Sequence, residues 1–245
     1  MKPIIANLIR LSLLTITIIT ACKDEKDISG YYFPVNALKE GKVYEYRFVG
    51  KPDVLPEYWY HITVNADPKS SEKKGRYFVS TLYGPEMEPK QLVSEEVVSN
   101  GMLLDELHLY FKDSIGKFVK VDPVIISRNV YPFQFQDTTT KYFYKIFFKN
   151  PFDSLQTTYL TRTRTYKGKT TYAYKGKDYD CVEFALEEKY ADDKEGRWEK
   201  IVYGKELYAK GIGLIYYKKG LQADFNLEYE LADIYTQEEL EKKLK

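Results

Sequence analysis

The side chains best suited to chemistry are few: two cysteines, Cys22 and Cys181, and two histidines, His61 and His108. Neither histidine has a second His, a Cys or a carboxylate at metal-ligand spacing, and no His-Glu-x-x-His or Cys-x-x-Cys pattern occurs, so no metal site is expected. Both are read as exposed structural residues, His61 on the face it shares with Trp59 and Thr63, and His108 beside Glu106. A thiol becomes a nucleophile only where its surroundings lower its pKa. The neighbours of Cys181, Asp180 and Glu183, act the other way, so a buried inert thiol is expected there. No Gly-x-Ser-x-Gly elbow occurs. Gly211-Ile212-Gly213 is too short for a dinucleotide loop and stands between strands; it is expected to let backbone come close or to kink the sheet. Nothing singles out a working pair among the 36 acidic residues. No catalytic residue and no cofactor is assigned.

The surroundings of Cys22 carry more information. Lys2 and Arg10 flank a polar start, residues 11–19 are apolar apart from hydroxyls, and Thr20-Ala21 are small. That order is a secretory signal, and its apolar run is well short of the ~20 residues a spanning helix needs. Residues 1–21 are therefore excluded from the fold. Ile19-Thr20-Ala21-Cys22 resembles the bacterial lipobox, with Ile19 where leucine is commoner. The resemblance implies cleavage after Ala21 and lipid on Cys22, so that the membrane itself is a partner. Two or more acyl chains, at ~0.8 kcal/mol per buried CH₂, anchor stably where one does not. Lys23-Asp24-Glu25 then looks like the surface-export signal of Bacteroidota lipoproteins, which implies an outer-membrane, cell-surface location.

Removing residues 1–21 takes Lys2 and Arg10 from the 37 basic residues and nothing from the 36 acidic ones, leaving the mature chain within one charge of neutrality. No basic excess exists to neutralise phosphates, which argues against nucleic acid as a partner. With Cys22 lipidated, Cys181 is the remaining thiol and an intramolecular disulfide is impossible. The 24 tyrosines and 13 phenylalanines favour half-buried strands.

Period-2 alternation marks those strands. Tyr44, Tyr46 and Phe48 oppose Glu45 and Arg47, which reads as one wet face; Tyr58, Tyr60, Ile62 and Val64 oppose Trp59, His61 and Thr63. Asn100-Gly101 between two apolar runs predicts a hairpin with a type I′ turn. Residues 157–166, rich in Thr, Arg and Tyr, read as an exposed strand, and Lys167-Gly168 and Lys175-Gly176 as two tight turns bracketing a short strand. Further strands are expected at 76–83, 142–148, 179–186, 201–208, 212–217 and 225–231. Thr236 with Glu239 is a capping box for a terminal helix before Leu240 and Leu244. The fold class is therefore all-β: an antiparallel, strongly curved sheet of about eleven strands, half-barrel or sandwich-like, with a short C-terminal helix.

Residues 22–30 form a charged tether and 31–245 a single β-rich domain. Identities such as Tyr44 with Tyr142 and Tyr46 with Tyr144 recur at an offset of ~98 and suggest internal halves at 31–128 and 129–226, against one continuous sheet. Tyr32-Phe33-Pro34 with Gly41 and Tyr44-x-Tyr46, Tyr179-Asp180-Cys181-Val182, and residues 208–214 resemble stretches of β-rich surface lipoproteins of Bacteroidota. That likeness implies an envelope protein and no reaction. Trp59, with Tyr58 and Tyr60, is the natural aromatic platform for a ligand, although alternating tyrosines are usually core and cross-strand pairs. The expected function is non-catalytic binding of a ligand, or of a protein or glycan partner, at the cell surface. The alternatives are a carrier holding an apolar molecule in a half-barrel cavity and a carboxylate-dependent hydrolase.

Overall fold

The computed structural model describes residues 26–245 apart from 52, 67–73, 85, 195 and 223–224, and only the backbone at 221, 222 and 225. Ala21, Cys22, Lys23, Asp24 and Glu25 lie outside the described residues.

Thirteen antiparallel strands follow one another: β1 (Lys42–Phe48), β2 (Glu57–Ala66), β3 (Gly75–Tyr83), β4 (Pro89–Val98), β5 (Gly101–Lys112), β6 (Phe118–Val121), β7 (Val124–Pro132), β8 (Lys141–Asn150), β9 (Asp153–Tyr174), β10 (Lys177–Asp193), β11 (Arg197–Ala209), β12 (Gly213–Gln222) and β13 (Phe225–Tyr235). The expected curvature goes to completion. β1 pairs with β13, with Tyr46 opposite Leu231, and the sheet closes into a twelve-stranded barrel. β6 is the extra strand: the start of β5 (Gly101–Leu103) pairs with β7 while its end (Leu109–Lys112) pairs with β6. β6 and β7 are absent from the sequence expectation, because Gly116 and Pro123 break the pattern there.

Two hairpins come out differently from their sequence reading. Lys175 (φ 49°) and Gly176 (φ 74°) both take positive φ and form the type I′ turn between β9 and β10. Lys167-Gly168 is no turn. The register slips there, Glu183 pairing with Gly168 and Phe184 with Tyr166, so Lys167 is the extra residue of a bulge inside the 22-residue β9. At Asn100-Gly101 the hairpin is present, but neither residue takes positive φ. Gly101 is needed for closeness instead: a Cβ on it would stand 2.5 Å from the Tyr131 carbonyl oxygen across the β5–β7 seam.

Eight strands already give a barrel that side chains can fill, so twelve leave a wider interior. The N-terminal segment occupies part of it. Asp27 bridges Gln134, Ser29–Tyr31 make one 3₁₀ turn, and Ile28, Tyr31, Tyr32, Phe33 and Leu38 are buried. Residues 26–30, inside the stretch read as tether, are thus part of the folded body. The plug is pinned by backbone bonds from Ile28 N–H to the Phe133 carbonyl (2.8 Å) and from Gly211 N–H to the Gly30 carbonyl (2.9 Å). The motifs of residues 32–46, 179–182 and 208–214 meet here. Tyr44 and Tyr46 donate to the carbonyls of Ile212 (3.1 Å) and Leu214 (2.8 Å), and Lys210 N–H donates to that of Asp180 (2.9 Å). Gly213 lets the Phe33 ring approach where a Cβ would sit 2.6 Å from it.

The helix α1 (Gln237–Leu244) has the predicted capping box, Glu239 N–H donating to Thr236 Oγ1 (3.1 Å) and Thr236 N–H to Glu239 Oε2 (2.7 Å). Its Leu240 covers Val43 and Tyr58 on the outside of the barrel. That changes two faces read from alternation. Glu45 is fully buried rather than wet, and hydrogen bonds from Lys243, Arg47 and Tyr235 hold its carboxyl below the usual range against the effect of burial. On β2 the inward face is Trp59, His61 and Thr63, while Val64 is exposed.

Candidate functional site

The strand read as exposed, residues 157–166, turns its arginines inward. In Thr161-Arg162-Thr163-Arg164-Thr165 the alternation places Arg162 and Arg164 in the interior, opposite inward acids on the next two strands. Arg164 grips Glu206 of β11 through two parallel bonds, Nε to Oε2 (2.6 Å) and Nη2 to Oε1 (3.1 Å), and donates a third to the Val130 carbonyl (3.1 Å). Tyr208 donates to the same carboxylate (3.1 Å). Burial disfavours charge on both partners. Their mutual attraction wins, raising the Arg164 pKa and lowering that of Glu206. A second group lies beside it: Arg162 pairs with Glu188 of β10, which also accepts from Tyr190 (2.9 Å) and lies 3.2 Å from the ammonium of Lys219 on β12. Against burial, Arg162 and Lys219 hold Glu188 at about 2. Lys219 itself is lowered, first by burial and then by Arg162.

Glu95 of β4 faces this array from across the barrel and accepts a hydrogen bond from Tyr32 of the plug. Its burial outweighs the lowering by Tyr32 and Arg164 and pushes it up to about 7. Glu95, Arg162, Arg164 and Glu206 line an interior cavity of about 120 Å³.

Next to Glu95, whose cross-strand neighbour is Phe78, the lining is aromatic. Phe33, Trp59 and Phe78 surround His61, whose ring centre lies 4.4, 6.2 and 5.2 Å from theirs. His61 is 3% exposed, and burial drives its pKa to about 3, so it is neutral. Its Nδ1 lies 2.8 Å from Ser80 Oγ, and its Nε2 has no partner. The reading of His61 as an exposed residue is thus corrected: the Trp59/Thr63 face on which it stands is the one the barrel encloses.

Of the three platform residues, Trp59 lines the cavity and Tyr58 and Tyr60 point outward, so the three share no surface. Alternation along a strand separates neighbours by construction. His108 sits at the surface between Asp122 (2.6 Å) and Glu106 (3.6 Å). Cys181 is fully buried, and burial, with Asp180 adding to it, pushes its thiol up to about 11. Among the described residues no cluster of three or more His, Cys, Asp or Glu could hold a metal ion. The residues that sequence reasoning missed are Glu95, Arg162, Arg164, Glu188, Glu206 and Lys219. Their one signal was strict alternation of Arg with Thr in β9, which is silent about which face is enclosed.

Fold and site together define a class: a closed antiparallel barrel, plugged by its own N-terminal segment, with an ionic and aromatic interior. No family model and no curated protein matches the chain. Among solved structures, an inferred exported protein of Bacteroides fragilis with a YmcC-like fold is similar, with a TM-score of 0.51 at 10% identity over 83% of this chain and 98% of that one. An inferred lipoprotein of Parabacteroides distasonis gives a TM-score of 0.49 at 11% identity, over 83% and 97%. At such identities the likeness to the first is one of fold.

Proposed function

We propose that this chain is a lipid-anchored, non-catalytic protein of the cell envelope whose barrel binds a ligand, held at the outer membrane by lipid on Cys22 and carried to the cell surface by Lys23-Asp24-Glu25. The observation that carries the reading is the position of the plug directly behind the lipobox-like residues. The chain from Cys22 to Asp27 can extend at most ~18 Å, so lipid on Cys22 holds the plugged end of the barrel near the bilayer. The shared fold with an inferred exported protein of Bacteroides fragilis is in keeping with an envelope address.

The barrel's polarity favours anchoring over spanning. A membrane-spanning barrel carries an apolar outer band and a polar lumen. Here Tyr44, Tyr46, Phe78 and Phe184 are inside, and Lys141, Lys149 and Lys169 are exposed outside. Binding is also favoured over the two alternatives. The interior cavity beside Arg164, at about 120 Å³, is far below the ~300 Å³ at which ligand pockets for larger molecules begin, so an acyl chain does not fit there. Of the two acids lining that cavity, Glu206 is locked by Arg164 and Glu95 alone is free to exchange a proton, so the cavity holds no working carboxylate pair.

Metabolic labelling with a palmitate analogue tests the anchor. Wild type takes up label and stays with membranes, and Cys22→Ala loses both; unlabelled wild type, or a membrane-bound Cys22→Ala protein, rejects the reading. Protease shaving of intact cells tests display: a protein that survives while a known surface marker is cut is not at the surface.

A further inference from the structure

We propose that the interior cavity binds the carboxylate of a small aliphatic acid, of the size of acetate or propionate, against Arg162 and Tyr144 while Glu95 is uncharged. This deepens the binding reading above and rests on it, and its test does not depend on the anchor.

Three observations lead there. The first is a set of donors without acceptors. Arg162 engages one oxygen of Glu188 through Nε and Nη2, which leaves Nη1 unbonded. Its guanidinium lies 5.9 Å from the ring centre of Tyr144 on β8. The Tyr144 hydroxyl and the carboxamide of Gln91 on β4 have no partner either among the described residues. All three side chains line the cavity and are only half-buried, Arg162 keeping 24% of its side-chain surface. The fully buried polar atoms that lack a partner lie elsewhere, on His61 and Thr63, so these three donors open onto the cavity. A guanidinium, a phenol and an amide N–H lining one space suit a carboxylate, whose oxygens only accept.

The second observation is charge. Arg162, Arg164 and Lys219 stand against two ionised carboxylates, and Arg162 and Lys219 share one of them, Glu188. The acid left over is Glu95, which is bonded by Tyr32 and by no cation. The other charged or titratable groups facing it are Arg162 and Arg164 of β9 and Glu206 and Tyr208 of β11; from β3 and β5 its neighbours are Phe78 and Leu104. With Glu95 uncharged the array holds one positive charge in excess, in a space where unmatched charge is costly. An anion on Arg162 supplies the counterpart. An ionised Glu95 would supply it too, so the ligand and the charge on Glu95 compete.

The third is size. A dry cavity of about 150 Å³ takes benzene. At about 120 Å³ this one takes a carboxylate with a short alkyl group behind it and no aromatic acid. Trp59, Val93 and Leu214, half-buried in the same lining, give that alkyl group apolar contact.

Acetate, acetamide and benzoate separate charge from size. Saturation-transfer NMR on the full-length protein in non-ionic detergent reads their binding at pH 6. Acetate should bind saturably and be displaced by propionate. Acetamide, its neutral counterpart, should bind about tenfold more weakly, and benzoate should not displace acetate. From pH 6 to pH 8 acetate affinity should fall about tenfold, as Glu95, pushed up to about 7 by burial, ionises. Arg162→Gln, in which Glu188 keeps Lys219, should weaken acetate about tenfold or more, and Tyr144→Phe, which removes one hydroxyl, about fivefold. Cys22→Ala should bind acetate as wild type does, which separates failure here from failure of the anchor. Absence of saturable acetate binding, acetamide binding as tightly as acetate, or chloride displacing acetate as well as propionate does would each overturn the proposal. So would an affinity that does not fall with pH, or one untouched by Tyr144→Phe. These outcomes decide the matter even if Arg162→Gln does not fold.

Discussion

Tyr32, brought into the barrel by the N-terminal segment, donates its hydroxyl to the carboxylate of Glu95 on β4, and both side chains are more than nine-tenths buried. This bond joins the plug to the wall at the cavity's edge. It also ties the seating of the plug to the protonation of one acid, because a hydroxyl donates more strongly to a carboxylate than to a neutral carboxyl. Tyr32→Phe should therefore destabilise the protein by about 2 kcal/mol at pH 8 and by clearly less at pH 5, where Glu95 is protonated with or without its partner. Urea denaturation at the two pH values measures this; equal losses at both would show that the bond does not depend on the charge of Glu95.

The pH dependence of Glu95 itself has a definite sign. Its folded-state pKa of about 7 lies above its ordinary 4.5. Its contribution is therefore fully present below 4.5 and is lost as pH rises through 7. The difference in stability between wild type and Glu95→Gln should shrink by about 3 kcal/mol from pH 4.5 to 8. His61 runs the other way: with its pKa driven from 6.5 to about 3, stability is present above 6.5 and lost as the pH falls. The difference between wild type and His61→Phe should accordingly shrink towards acid pH. Denaturant titrations across pH 4.5–8 read both slopes, and slopes of the same sign would contradict the assignment.

Breaking the Arg164–Glu206 pair from one side leaves a buried charge without its partner. Arg164→Met should cost about 4 kcal/mol, and Arg164→Met with Glu206→Leu should recover much of that loss, since two apolar side chains can fill the space that the pair occupied. A double-mutant cycle by chemical denaturation measures the coupling. If the double variant were destabilised by the sum of the single changes, the two residues would not be acting as a pair.

Gly213→Ala should unseat the plug. At φ +104° any side chain is strained, and the added Cβ meets the Phe33 ring at 2.6 Å. Gly116→Ala is the control, with φ +80° and open space around it. The control should cost about 1 kcal/mol and Gly213→Ala about 2 kcal/mol or more. Hydrogen exchange should show protection lost at Ile28 and Tyr32 in Gly213→Ala and kept in Gly116→Ala.

The sequence by itself determined what is local. The strand period, the β9–β10 turn at Lys175-Gly176 and the Thr236–Glu239 cap were legible because each depends on residues within a few positions of one another, through backbone sterics and short-range hydrogen bonds. The all-β class and the buried thiol of Cys181 followed from composition and neighbours. Which face of a strand is enclosed is a different matter. Alternation shows that Trp59, His61 and Thr63 share one side and Tyr58 and Tyr60 the other, but both sides carry aromatics. The choice fell to closure of β1 on β13 and to α1, which covers Tyr58 and Glu45 from outside. The same holds for Thr161 to Thr165: Arg beside Thr reads as a wet strand until Glu188 and Glu206, on two further strands, supply countercharges. An arginine can be buried only where such partners converge, and that convergence is a property of the closed barrel.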